Sequence, residues 1–155
     1  MQLAKQVGES LAVAELGRRG FIATSFSGNC PAFDILAIDQ KGQTKAIQVK
    51  TIRRGNWQFD IRQFFEIEFD GKLQILKRKR KIPVPNLIYV FVKIAGQNKD
   101  EFYICPWDFL QRRLRKTYFT KEKTKKRPRK PESTHCKITL KDLQKFKDNW
   151  QLISK

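Results

Sequence analysis

Residues Leu87 to Ile94 form an almost unbroken run of β-branched and aromatic side chains. A strand that faces water on one side alternates apolar and polar residues, whereas a strand covered on both faces is apolar throughout. We therefore expect this run to be the centre of a sheet with other elements packed on both faces. A chain of 155 residues suffices for one such core, so we expect a single domain over residues 1–155.

The N-terminal residues predict a helix. Apolar residues recur at helical spacing from Leu3 to Arg19, and Gly20 follows as a stop signal. Glu9 shares one stripe of this helix with Val13 and Leu16, so its carboxylate should point toward whatever that stripe packs against. A second apolar stripe consists of Leu3, Val7, Leu11 and Ala14.

Short strands are predicted next, at Phe21 to Phe26, Phe33 to Ile38 and Thr44 to Thr51. The last two should form an antiparallel hairpin, because Asp39 to Gly42 is a typical turn between them. Trp57 to Ile61 indicates another strand.

Asp70-Gly71 predicts a second hairpin, although the residues before it, Arg62 to Phe65, also fit a short helix. Glu101 to Cys105 should be a strand, and Pro106 should open a helix. Thr139 and Asp142 are spaced as a capping box for a last helix that runs through Phe146.

Positive charge limits the choice of partner. The chain has 33 Lys and Arg residues against 15 Asp and Glu residues, a net charge of +18, and such an excess attracts polyanions. We expect nucleic acid and not a membrane, because the cations do not alternate with a broad apolar helical face. No apolar run is long enough to cross a bilayer, and the N-terminal acids fit neither a signal nor a transit peptide. We expect a cytoplasmic protein.

Two clusters hold much of this charge. Residues Lys77 to Lys81 are five consecutive cations, and residues 112–130 hold eleven Lys or Arg against one acid, Glu122. Because prolines lie near its end, we expect residues 112–131 to form a mobile basic loop. The cations expected to contact nucleic acid are Arg53, Arg54, Lys77, Arg78, Lys79, Arg80, Lys81, Arg112, Arg113, Arg115, Lys116, Lys125, Lys126 and Arg127.

Polar side chains from two neighbouring strands should converge on one spot. The period of two puts Ile47 and Val49 on one face of the third strand and Gln48 and Lys50 on the other, about 7 Å apart. The antiparallel partner strand can bring Asp34 beside them. Phosphodiester hydrolysis needs oxygen ligands for a hard divalent cation and a positive group that stabilises the developing charge. This set of residues offers both.

The chemistry of each side chain indicates the role that the residue can play at such a site. Asp34 can bind Mg²⁺ or Mn²⁺ through its carboxylate, Gln48 through its side-chain oxygen and Val49 through its carbonyl. Lys50 can orient the attacking water or stabilise the developing charge. Glu9 could hold the metal through a water or bind a second ion. The predicted catalytic residues are therefore Glu9, Asp34, Gln48 and Lys50.

These residues carry a resemblance to a known superfamily. The order Gly8-Glu9, then Pro31-(x)2-Asp34, then Gln48-Val49-Lys50 resembles the PD-(D/E)xK nucleases, over about the first 55 residues and weakly in the later strands. This superfamily includes archaeal Holliday junction resolvases, type II restriction enzymes and one class of group I intron homing endonucleases. The resemblance implies an α/β restriction-endonuclease-like αβββαβ core, with a four-stranded mixed sheet flanked by helices. It also implies Mg²⁺-dependent cleavage of DNA, often by a homodimer.

Two departures from the superfamily pattern matter. Gln48 stands where the superfamily usually has an acid, which removes one negative charge from the metal site. The crossover helix expected between the third and fourth strands is not evident in residues 52–86, so we expect a β-hairpin insertion there.

The predicted function is a metal-dependent endodeoxyribonuclease. A homodimer or higher homo-oligomer would suit the cleavage of two strands, but no segment of the sequence requires one. The alternative is a non-catalytic nucleic-acid-binding protein in which the neutral Gln48 marks a decayed metal site. An RNA-processing enzyme is a third possibility, because phosphate contacts do not distinguish RNA from DNA.

Other residue types give weaker signals. The aromatic residues that could stack on bases, but that more often belong to a core, are Trp57, Phe59, Phe64 and Phe65. His135 lacks metal-partner spacing and should be structural or exposed. The cysteines, Cys30, Cys105 and Cys136, indicate neither a disulfide framework nor a zinc site.

Overall fold

The computed structural model describes residues 2–26, 32–119 and 130–155. Within these ranges the α-helices are α1 (Gln2–Arg18), α2 (Trp107–Tyr118) and α3 (Leu140–Leu143). The strands are β1 (Ile22–Ser25), β2 (Ile35–Ile38), β3 (Thr44–Ile52), β4 (Trp57–Asp60), β5 (Phe65–Asp70), β6 (Leu73–Lys79), β7 (Ile88–Lys93), β8 (Glu101–Pro106) and β9 (His135–Ile138). Short 3-10 turns occupy Ile61–Gln63, Gln144–Phe146 and Trp150–Leu152.

A mixed five-stranded sheet organises the molecule, with strand order β1-β2-β3-β7-β8. The first three strands form an antiparallel meander, β7 runs parallel to β3, and β8 returns antiparallel to β7. The mixed sheet flanked by helices is confirmed, with five strands where the resemblance implied four. The apolar run becomes β7, which is interior as expected, but the middle position belongs to β3.

The strand β7 is buried on both faces, which explains its unbroken apolar sequence. Ile88, Val90 and Val92 belong to the core under α1 and the C-terminal segment. Tyr89 and Phe91 belong to a second, aromatic core on the opposite face, which α2 and a two-stranded ribbon formed by β4 and β9 cover. Each face of the sheet therefore has its own hydrophobic layer.

The connection from β3 to β7 has no α-helix in residues 53–87, all of which the structure describes. It consists of β4, the turn at Ile61–Gln63 and the β5–β6 hairpin, so the predicted hairpin insertion is confirmed. The short helix considered at Arg62 to Phe65 is the 3-10 turn. The pairing of β4 with β9 was not predicted; the resulting ribbon packs on the aromatic core of the sheet.

The helix α1 packs on the sheet through small residues. Gly8 is buried so close to β3 that a Cβ on it would lie 1.8 Å from Thr51 Oγ1, and Ala12 and Leu16 follow one and two turns later with no exposed surface. The stripe of Leu3, Val7, Leu11 and Ala14 is buried only in part, because Leu3 is 67% exposed whereas Leu11 packs on the core. The periodicity located the helix, and Leu16, on the same stripe as Glu9, is fully buried against the sheet as predicted.

The C-terminal elements follow the sequence signals in part. Pro106 precedes α2, and Thr139 and Asp142 form the predicted capping box before α3. The last helix is shorter than predicted, because α3 ends at Leu143 and a 3-10 turn continues to Phe146.

The prediction of a mobile loop over residues 112–131 is wrong for residues 112–118, which are helical in α2. Leu114 and Tyr118 are buried and tie this part of the helix to the core. Residues 120–129 lie outside the described residues. In the part of the chain that is described, no helix is both long and apolar enough to cross a membrane.

Candidate active site

The candidate site lies at the N-terminal end of β2. The pairing of β2 with β3 begins at Ile35 opposite Ile47, so the edge of β3 beyond Ile47 is not covered by β2. Asp34 immediately precedes this pairing, and its backbone N–H donates to the Ile47 carbonyl at 2.9 Å. The predicted hairpin therefore does bring Asp34 beside Gln48.

Asp34 is held by its neighbours on β3. Its side chain is 10% exposed, and Oδ2 accepts the backbone N–H of Val49 at 2.9 Å. The same oxygen accepts a hydrogen bond from Gln48 Nε2. Because N–H and C=O of one strand residue point to the same side, the Val49 carbonyl is directed toward this edge too. Asp34, Gln48 and Val49 are therefore brought together as predicted.

Glu9 reaches the same edge from α1. Its side chain is 17% exposed, and Lys5 Nζ lies 3.4 Å from both Glu9 Oε1 and Asp34 Oδ1. Burial raises the pKa of Glu9, and the nearby Asp34 charge raises it further. The Asp34 charge is also the main reason why the pKa of Lys5 is raised. Two carboxylates thus face each other across one ammonium group.

Lys5 was not predicted as a site residue. Its side chain is 61% exposed, and one signal in the sequence was available: it precedes Glu9 by one helical turn, the spacing at which Lys and Glu pair. That spacing is common on helix surfaces, so it does not single out Lys5 without knowledge of where Asp34 lies.

Lys50 lies on the same sheet face as Gln48, against the aromatic core. Its Nζ is 5.1 Å from the centroid of the Phe59 ring, and its backbone carbonyl accepts a hydrogen bond from Trp57 Nε1 at 3.0 Å. Burial lowers the pKa of the Lys50 amine, Asp34 opposes that shift, and Lys5 adds to it. Tyr89, opposite Gln48 on β7, has its pKa raised by burial.

The donor set fits a small hard cation. Across residues 2–26, 32–119 and 130–155 no cluster of three or more His, Cys, Asp or Glu occurs, so the carboxylates here are Glu9 and Asp34 alone. Amide and carbonyl oxygens of Gln48 and Val49 can complete an oxygen-rich shell. Among the described residues, Glu9 Oε1 is buried without a hydrogen-bond donor and its charge is met by the Lys5 ammonium, a cation that lies between the two acids.

The residues predicted to contact nucleic acid include some that are ion-paired with an acid of this chain and some that are exposed. Arg53 and Arg54 are exposed in the turn after β3. On the hairpin, Lys77 pairs with Glu68, while Arg78 and Arg80 both pair with Glu66.

On α2, Arg112 pairs with Asp108 and Arg113 with Asp142, and Arg115 and Lys116 are exposed. Lys79 and Lys81 are exposed on and after β6. Lys125, Lys126 and Arg127 lie outside the described residues.

The aromatic residues considered for base stacking belong to the core. Trp57, Phe59, Phe64 and Phe65 are each at most 3% exposed. They pack against one another and against α2, and so are not available to nucleic acid. His135 is exposed on β9, as expected for a residue outside any metal cluster.

The mixed sheet, with α1 on one face and the candidate site at the N-terminal end of β2, defines the restriction-endonuclease-like fold. A bacterial homing endonuclease, I-Ssp6803I, is similar with a TM-score of 0.51 and 15% identity, over 99% of this chain and 92% of that chain. Archaeoglobus fulgidus Hjc, a Holliday junction resolvase from an archaeal hyperthermophile, is similar with a TM-score of 0.55 and 14% identity, over 97% and 96% of the two chains. No protein-family model and no curated protein matches the chain. The predicted fold class is confirmed.

Proposed function

We propose that this protein is a divalent-metal-dependent endonuclease that hydrolyses DNA phosphodiester bonds. The observation that carries the proposal is the convergence of Glu9 and Asp34 on one ammonium group, at the strand that carries Lys50. Support also comes from the two fold neighbours, one a homing endonuclease and the other a Holliday junction resolvase. The net charge of +18 suits a polyanionic substrate.

Asp34, Gln48 and the Val49 carbonyl would hold Mg²⁺ or Mn²⁺, and Glu9 would complete the shell directly or through water. The bound ion would lower the pKa of a water molecule and offset phosphate charge. Lys5 has an exposed, flexible side chain and can withdraw its ammonium from between the acids. The chain's own carboxylates are then free to hold the cation.

Lys50 would act on the reacting groups. Its position against Phe59 restricts where the amine can go, and burial holds its pKa below the ordinary value. An amine so placed can orient the attacking water when neutral, or stabilise the developing negative charge when protonated. Either role requires Lys50 near Asp34, which the strand spacing provides.

The test is cleavage of supercoiled plasmid and of a four-way junction in Mg²⁺. Asp34→Ala and Lys50→Ala should each abolish cleavage, while DNA binding in EDTA is retained. The matched controls are Asp108→Ala and Lys41→Ala, which remove the same charges from exposed positions and should cleave normally. Unchanged cleavage in both site variants would overturn the assignment. Linear DNA and RNA substrates then define the substrate class.

A second candidate function is nucleic-acid binding without catalysis. The neutral Gln48 favours it, because the described residues bring only two carboxylates to the site. Calorimetric titration with Mn²⁺ separates the two functions. Heat of binding that disappears in Asp34→Ala supports the endonuclease, whereas no heat with or without DNA supports the binding protein.

A further inference from the structure

A groove of about 700 Å³ lies between the β4–β9 ribbon and the helices α2 and α3. It is on the opposite side of the ribbon from Lys50. Phe59 on β4 points toward Lys50, whereas its neighbour Gln58 lines the groove, as strand alternation requires. Lys137, paired with Gln58 across the ribbon, lines the groove as well. The groove is therefore separate from the candidate active site.

The lining of the groove is strongly basic. Arg113, Lys137, Lys141 and Lys145 all contribute to it, and Asp142 is its one acid among the described residues. Asp142 is already engaged by Arg113 at 2.5 Å and by the N-terminal cap of α3. Lys137 and Lys141 form no ion pair within the described ranges, so their charges are available to an anionic ligand.

The groove also has an aromatic wall. The Phe109 ring lies 4.5 Å from the Phe146 ring, centroid to centroid, and Lys145 Nζ is 4.7 Å from the Phe109 centroid. A ligand that suits this lining carries negative charges beside a flat apolar group, which is the chemistry of a nucleotide.

We propose that this groove binds a single-stranded nucleic-acid segment, with a base against Phe109 and its phosphates on Lys137 and Lys141. The volume is in the range of pockets for small ligands, about 300–1,000 Å³, so it admits a nucleotide or two but not a duplex. Base faces become available for stacking only when the strand is unpaired. The proposal goes beyond cleavage, because this strand would lie across the ribbon from Lys50.

The test measures binding in EDTA, so that cleavage does not enter. Fluorescence anisotropy is recorded with oligo(dT) and oligo(U) of about 12 nucleotides and with a duplex of the same length. The double variant Lys137→Gln/Lys141→Gln should bind one or both single strands about tenfold more weakly, with a salt slope reduced by about 1.4. The control Lys41→Gln/Lys99→Gln removes two exposed lysines from turns remote from the groove and should change neither.

A second variant separates stacking from charge. Phe109→Leu keeps an apolar side chain and should weaken single-strand binding about fivefold, with an unchanged salt slope. A melting curve confirms that it is folded. Three outcomes would each overturn the proposal: site and control variants that bind alike, an equal loss for the duplex, or an equal loss for a poly-glutamate peptide. Asp34→Ala should bind these single strands normally, so failure here and failure of the proposed cleavage are distinguishable.

Discussion

At the scale of single residues, Gln48 determines how much negative charge the candidate site holds. Its amide donates to Asp34, where a glutamate would add a third carboxylate and remove the donor. We expect Gln48→Glu to bind Mn²⁺ more tightly, to keep or increase cleavage, and to melt at a lower temperature without metal, because like charges repel.

Calorimetry and melting curves with and without Mn²⁺ test this prediction. Gln97→Glu makes the same change at an exposed position in the turn between β7 and β8 and should alter none of these quantities. If Gln48→Glu is unfolded even with saturating Mn²⁺, Gln48 is a structural residue and not a ligand.

Lys5 lies between Glu9 and Asp34, two of the proposed metal ligands, so its ammonium should compete with a bound cation. The Lys5→Met variant keeps the apolar stem and removes the ammonium that lies 3.4 Å from both acids. An exposed pair contributes up to about 1 kcal/mol, so the Mn²⁺ affinity should rise by up to about fivefold. The comparison is with Lys41→Met, which removes a remote exposed charge. Equal affinities in the two variants would contradict the competition.

Lys50, the proposed catalytic amine, should lower the stability of the folded protein. Because burial lowers the pKa of its amine, the folded state holds the charged form less well than the unfolded state does. Lys50→Met should therefore raise the melting temperature at neutral pH by about 2–4 °C, the shift that corresponds to roughly 1 kcal/mol in a chain of this size.

The pH dependence of that difference has a definite sign. Between the lowered folded pKa of Lys50 and the ordinary value of 10.5, the unfolded state binds more protons, so wild-type stability gains with rising pH. The advantage of Lys50→Met should shrink over this window and persist below it. Melting curves at neutral and alkaline pH measure it; an advantage that grows with pH would contradict the argument.

At the scale of elements, the contact between α1 and β3 depends on Gly8. A methyl group there would overlap the Thr51 side chain, so Gly8→Ala should destabilise the protein by about 1–3 kcal/mol. It should also weaken Mn²⁺ binding, because Glu9 is the next residue. Gly17→Ala is the matched control in the same helix. Among the described residues no atom outside α1 lies within 4 Å of a Cβ at this position, so the substitution should stabilise the protein by about 0.5–1 kcal/mol. Denaturant unfolding compares the two, and equal effects would refute the close packing.

The elements that could be predicted are those with local signals. The turn at Asp70-Gly71 and the capping box of Thr139 and Asp142 lie within a few residues of sequence, and both are present. The strand β9 was missed because its partner β4 is far away along the chain, and pairing at that distance leaves no local signature. The stripe of Glu9 and Leu16 indicated the packed side of α1, whereas Ala12, which is also buried, gave no signal because it is small.

In the candidate site, too, only the contacts with local signals could be predicted. The alternation along β3 and the turn before it were enough to predict that Asp34 lies beside Gln48. The contact of Lys5 with Asp34 could not be predicted, because it depends on how α1 is laid across the sheet. Tyr89 and Trp57 could not be predicted as neighbours of the site either, because their positions depend on how the aromatic core packs.

At the scale of the whole molecule, the net charge overstates how many cations can contact phosphate. On the hairpin, Lys77 and Arg78 are paired with acids, whereas Lys79 and Lys81 have no ion pair among the described residues. We expect Lys79→Gln/Lys81→Gln to reduce the salt slope of duplex binding by about 1.8, since each lost phosphate contact removes about 0.9.

The comparison variant is Lys77→Gln/Arg78→Gln, which removes the same charge from paired positions and should reduce that slope less. Titrations of duplex DNA in EDTA at several salt concentrations measure both. A larger reduction in the paired variant would show that the ion pairs open when DNA binds.

Alternate residues of the strand β3 face the hydrophobic core under α1 and the candidate site. Ile47 and Val49 are buried under α1, and Gln48 and Lys50 occupy the other face. A shift of one residue in its pairing would exchange the two faces, placing the Lys50 amine in the apolar layer under α1 and an isoleucine where the candidate site lies. An insertion or deletion of a single residue inside β3 should therefore cause misfolding, and not only a loss of the candidate site.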